Sequence, residues 1–67
     1  MSVAKVIEIS ASSTTSFEHA IETGVEHATK TLDNVKGAWV KEQQIIIADK
    51  KISEYRVNLL VTFVLHE

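Results

Sequence analysis

The sequence predicts an α+β fold of order strand, helix, strand, strand, a β-α-β-β chain with a three-stranded antiparallel sheet wrapped on one helix. Three observations predict it. Residues 3–10 and 52–65 alternate apolar and polar side chains with the period of a strand. Between Phe17 and Leu32 the apolar residues recur at helical spacing. The run Asp49-Lys50-Lys51 separates two long strand-like segments and has room only for a hairpin turn. All 67 residues make a single domain, 1–67.

The first strand, over 3–10, sets Val3, Lys5, Ile7 and Ile9 on one face and Ala4, Val6, Glu8 and Ser10 on the other. Both faces carry apolar residues, so neither is wholly wet. The hydroxyl-rich residues 11–16 read as a loop leading into a helix cap. Thr15-Ser16-Phe17-Glu18 fits a capping box, with Thr15 as N-cap and Glu18 reaching back to its amide. The helix spans 16–33, with Phe17, Ile21, Gly24, Val25, Ala28 and Leu32 on one side. Gly24 and Ala28 are small enough to let its backbone approach a sheet. Asp33-Asn34 suits the exit, because Asn tolerates the left-handed conformation. The second strand spans 35–48 and the third 52–65. In the third, Tyr55, Val57, Leu59, Val61, Phe63 and Leu65 form one face. A helical crossover makes the first two strands parallel, with the third between them and antiparallel to both.

Composition excludes several function classes. At 45% hydrophobic and 24% charged, with a net charge of −2, the chain is globular and not disordered. It has no Lys/Arg cluster, which argues against nucleic acid as a partner. No apolar run approaches the ~18 residues that span a bilayer, and the N-terminus alternates with no signal-peptide core. The expectation is a cytoplasmic protein without membrane contact. There is no cysteine, hence no disulfide and no thiolate metal site. Gly24 and Gly37 are isolated, so no phosphate-cradling loop forms, and neither a nucleophile elbow nor metalloprotease spacing is present. Catalysis is not expected.

A mismatch of lengths points to self-association. The third strand would run roughly 45–50 Å at about 3.3 Å per residue, whereas a helix over 16–33 reaches about 27 Å. One helix cannot cover that strand. Leu60, Val64 and the run Ile45-Ile46-Ile47 stay in water in a lone chain, and each gains roughly 1.5–3 kcal/mol on full burial. A domain this small hides only about 60% of its unfolded surface. Further copies of the chain are the expected cover.

Several residues together resemble one known family. They are the run Lys5-Val6-Ile7-Glu8-Ile9, the pair Ser12-Ser13, Ser16-Phe17-Glu18, then Ala28…Thr31…Asn34, and Tyr55…Val57…Val61…Phe63. The chain is similar to dodecins over nearly its whole length and in element order. The resemblance implies a hollow homododecamer that stores or buffers a small ligand without transforming it. Flavin (riboflavin, FMN or FAD) is the ligand associated with the family. It also implies where the chain departs. Flavin-binding dodecins carry a stacking tryptophan early in the second strand, where this chain has Gly37, next to Lys36; Trp39 lies two residues on. By strand parity Trp39 shares a face with Gly37, Lys41 and Gln43. Where those dodecins place a glutamine after the third-strand tyrosine, this chain has Arg56, which only donates hydrogen bonds and suits an anion or a carboxylate. The coenzyme A site of some dodecins uses arginines at positions that match Gln44 and Val64 here. The candidate ligand residues are therefore Trp39, Arg56, Gly37, Lys36 and Gln44.

Two readings of Trp39 stand side by side: an aromatic clamp leaning into the space beside Gly37, or a subunit contact that buries a large ring and keeps a donor at its edge. Dodecin-like proteins without the flavin tryptophan are linked to cations, calcium among them, or to no ligand. Glu18, Glu22 and Glu26 recur every four residues beside His19 and His27, an oxygen and imidazole set that suits a cation. The same pattern also describes a solvated helix surface.

Overall fold

A computed structural model of the chain describes residues 2–66. Its elements are β1 (Val3–Ser13), α1 (Phe17–Thr31), β2 (Val35–Ala48) and β3 (Lys51–His66). The sheet order is β1-β3-β2, with β3 antiparallel to both neighbours. This is the predicted α+β architecture, and the bounds of β2 are those predicted.

β1 runs three residues further than expected. Ala11, Ser12 and Ser13 pair with Val57, Arg56 and Tyr55, so the hydroxyl run continues the ladder before it turns. The reason lies in Ser13, which is 7% exposed. Its Oγ accepts from the backbone N–H of Thr15 at 2.9 Å and of Ser16 at 3.4 Å, and meets His19 Nδ1 at 2.7 Å. One buried hydroxyl thus satisfies the donors of a turn that the ladder cannot reach. The predicted capping box does not form, because the Thr15 N–H that Glu18 was to meet is taken by Ser13 Oγ, and the N-cap shifts by one residue. Ser16, not Thr15, is the N-cap, with extended backbone and an Oγ that accepts from His19 N–H at 3.0 Å. α1 ends at Thr31, two residues early: Leu32 turns extended while its N–H still bonds Ala28 O at 2.9 Å. Asn34 takes the left-handed conformation expected of it, at φ 60°.

The β2–β3 turn is tighter than expected. Only Asp49 and Lys50 lie outside the strands, both left-handed at φ 52° and 64°, as a two-residue primed turn requires. Lys51 already belongs to β3.

The core is the helix face of β3, with Val57, Leu59 and Val61 each at most 1% exposed, packed against Ala20 and Ala28. The centre of the helix face is Ala20-Gly24-Ala28, so the seam is made of small side chains, with Ile21 and Val25 to one flank. Ala20 was not among the residues expected on this face. A Cβ on Gly24 would stand 2.8 Å from Leu59 Cδ1 and 3.1 Å from Ala11 Cβ. Only glycine permits that approach.

β2 departs from regular pairing between Val35 and Gly37, between Val40 and Glu42, and between Ile46 and Ile47. Lys36 and Lys41 are the extra residues of the first two bulges. Each bulge resets the alternation, which overturns the expected neighbours of Trp39. Gln43 pairs with core-facing Val57, while Trp39, Glu42 and Gln44 pair with Leu60, Asn58 and Arg56 on the face that α1 does not cover. The molecule measures 50 × 19 × 14 Å, against about 22 Å for a helix of this length. The β2–β3 hairpin therefore projects as an arm, with Ile47 69%, Ile52 51% and Ile45 43% exposed.

Candidate functional site

Two places on the molecule gather the candidate residues. The first is a cleft of about 300 Å³ between α1 and the first half of β2. It exists because the helix seats its small-residue seam on β1 and β3, leaving β2 partly uncovered. Ile21 and Val25 form one wall, Val35, Ala38 and Val40 the other. Lys36, Gly37 and Trp39 also border it, but Gly37 and Trp39 pair with Thr62 and Leu60, so Trp39 directs its side chain to the face that α1 does not cover. Trp39 is 51% exposed, and a Cβ on Gly37 would meet nothing within 4 Å. A large ring therefore stands beside open space, the combination that a flat ligand or a neighbouring chain could fill.

The second place is the row Ser12–Arg56–Gln44, one residue from each strand, on the face opposite α1. Arg56 Nε donates to Ser12 Oγ at 3.2 Å, and its Nη2 lies 3.6 Å from Glu54 Oε1. Both contacts hold the guanidinium down on its own strand neighbourhood. Four residues of β3 separate Arg56 from Leu60, the partner of Trp39, a distance of about 13 Å. One protomer thus places Gly37 and Trp39 on the same face as Gln44 and Arg56, but about 13 Å along the sheet from them.

Between them lies a feature that the sequence did not reveal. Lys41, the bulge residue, reaches over β3 to Glu8 of β1, Nζ to Oε1 at 3.0 Å. The hydrogen bond that Lys41 donates to Glu8, and then the charge of Glu8, raise the Lys41 ammonium pKa above its ordinary value. A raised lysine pKa means that whatever the pair adds to stability is complete below about pH 10.5 and is lost as pH climbs through the raised value. Across the physiological range Lys41 therefore keeps its charge opposite Glu8. No spacing rule places residues 8 and 41 side by side, since only the bulge turns Lys41 inward over the sheet.

The helix carboxylates do not converge. Glu26 is taken by Lys30 at 3.1 Å, one turn on, and His19 Nδ1 is occupied by Ser13. Among the described residues no group of three or more histidine or carboxylate side chains could hold a metal ion. Also among them, no helix is long and apolar enough to cross a membrane.

A helix on a three-stranded antiparallel sheet, with an apolar cleft on one side and a polar, ion-paired face on the other, defines a small α+β domain of β-α-β-β order. The family follows from comparison with known proteins: the dodecin family model matches residues 3–66, and the chain belongs to that family. It is 38% identical over 63 residues to the calcium dodecin of Mycobacterium tuberculosis (strain ATCC 25618 / H37Rv), covering 94% of this chain and 89% of that one. Its structure superposes on dodecin from Streptomyces davaonensis with a TM-score of 0.91 at 29% identity, covering 98% and 97% of the two chains. Against the crystal structure of the Mycobacterium tuberculosis calcium dodecin, described with a novel calcium-binding site, the TM-score is 0.82 at 36% identity. That match covers 91% of this chain and 87% of the other.

Proposed function

We propose that copies of this chain assemble into a closed shell, a homododecamer in the pattern of the family, which holds and buffers a flat aromatic ligand of the flavin class without catalysis. The observation that carries this reading is the half-exposed Trp39 beside the empty space at Gly37. An indole in that position offers a face for stacking, and a second copy can supply the opposing ring, so that the ligand is sandwiched and its excited state quenched. Lys36 adjoins Gly37 in the chain and can meet a ribityl or phosphate oxygen. Arg56 and Gln44 reach a ligand bound at Trp39 only from a neighbouring copy.

A second reading is favoured by the kinship with calcium dodecin: the shell holds a cation. Since the described residues of one chain form no cation site, such a site would draw its oxygens from several copies. Glu8, Glu42 and Glu54, on or near the open face, are the carboxylates at hand.

One pair of titrations separates the readings. Riboflavin, FMN and FAD fluorescence should fall stoichiometrically as protein is added, and Trp39→Ala should weaken this by about tenfold or more while sedimentation shows the same particle. If all three flavins keep their full fluorescence, the flavin reading is wrong. A calorimetric titration with calcium ion that then gives saturable heat, lost on chelation, supports the second.

A further inference from the structure

The sheet face that α1 leaves bare has an apolar end and a polar end, and the Lys41–Glu8 pair stands at the border between them. Trp39 and Glu8 both pair with Leu60, so the three form one row across the sheet on that face. The next row toward the apolar end is Val6, Thr62 and Gly37, where the missing side chain leaves open space. On the other side the rows turn polar, beginning with Asn58 opposite Glu42. Trp39 and Glu8 stand two strand spacings apart, roughly 10 Å, with the half-buried Leu60 as the floor between them. A flat ring system laid on that floor would reach from the indole to the ion pair.

The pair has hydrogen-bonding capacity to spare. A carboxylate offers two acceptor oxygens and an ammonium three donors. Lys41 Nζ spends one donor on Glu8 Oε1, at 3.0 Å. The two side chains remain 47% and 41% exposed. An acceptor and a donor are thus held side by side by their own bridge, which spares a ligand the cost of ordering them.

We infer that this pair reads the edge of the ligand held at Trp39, and that the edge it selects is a cyclic imide. In an imide a ring N–H stands beside a carbonyl. The N–H donates to Glu8 and the carbonyl accepts from Lys41, two adjacent charge-assisted hydrogen bonds. Arg56 cannot take this part, since a guanidinium has no acceptor for a ring N–H. It also lies about 13 Å along the sheet from the Leu60 row. The border fixes the orientation: the hydrocarbon end of the ring lies by the indole and the gap at Gly37, and the imide end lies at Glu8. A flavin has such an imide edge, so this assignment rests on the flavin-class reading above and deepens it.

The test is fluorescence quenching by the full chain of riboflavin and of riboflavin methylated at its imide nitrogen. Wild-type protein should bind the unmethylated flavin about tenfold or more tightly, because a site that pairs an N–H rejects the analogue lacking it. Glu8→Met removes the acceptor and should bind both flavins alike, at the weaker affinity. Lys41→Met should weaken both, since both keep their carbonyls. A surface ion pair adds little to folding, so both variants should keep the wild-type circular dichroism and sedimentation. The comparison of the two flavins on wild-type protein needs no variant at all. Wild-type protein that quenches both flavins with equal affinity overturns the inference, and so does Glu8→Met that still prefers the unmethylated one. Wild-type protein that quenches neither ends the flavin-class reading itself, a result distinct from the other two.

Discussion

Leu59→Ala is expected to remove most of the stability of the isolated chain. Leu59 is the largest of the fully buried side chains, 1% exposed at the middle of the central strand, facing Gly24 and flanked by Val57 and Val61. Truncating a buried leucine costs about 2–5 kcal/mol, the transfer term plus the cavity left behind. A domain of this size has roughly 3–10 kcal/mol in total. Urea unfolding followed by circular dichroism, in dilute solution where assembly is minimal, should show a midpoint at less than about half the wild-type value. A midpoint within error of wild type would mean that the core lies elsewhere than on the helix face of β3.

Gly24→Leu is the second large effect, and its cause is excess volume. Even the first carbon of a side chain would stand 2.8 Å from Leu59 Cδ1 and 3.1 Å from Ala11 Cβ. Leu59 could rotate its terminal methyl, but the Ala11 carbon is fixed to the β1 backbone and cannot yield. A leucine would lift α1 off the sheet, at a cost of about 1–3 kcal/mol or more, set against the ~1 kcal/mol that a helix gains on losing an interior glycine. The two sites share one space, so they should not act independently. Gly24→Ala added to Leu59→Ala should cost less than the sum of the two single changes, because the new methyl enters the void that the leucine vacates. Additive costs would show that the helix and strand are not in contact there.

Much of this architecture was legible in the sequence, for identifiable reasons. The alternation of β1 and β3 is sustained enough to fix the strand type and, in β3, the buried face of Val57, Leu59 and Val61, and the polar run between β2 and β3 fixes the hairpin. The small residues Gly24 and Ala28 announced a close helix–sheet approach. What escaped was governed by single hydrogen bonds and by irregular pairing. Nothing in residues 11–16 distinguishes Ser13 from its hydroxyl neighbours, yet burial of that one side chain extends β1 and moves the cap from Thr15 to Ser16. The bulges at Lys36 and Lys41 were equally hidden, since an extra residue in a strand has no composition of its own. They explain why the parity that groups Trp39 with Lys41 and Gln43 fails, and why Glu42 and Gln44 take those places. The candidate ligand residues were legible only as a set along the chain. That Trp39, Gln44 and Arg56 share the open face, with Trp39 well along the sheet from the other two, is a fact of register.

The same two bulges bear on how a sticky chain avoids fibres. β2 is the outermost strand on its side, and fourteen residues of regular ladder would template the addition of identical strands without limit. Lys36 and Lys41 break the hydrogen-bond rhythm and bring charge to that margin. Strand addition through the backbone is interrupted twice over, so this margin resists the open-ended stacking that builds amyloid.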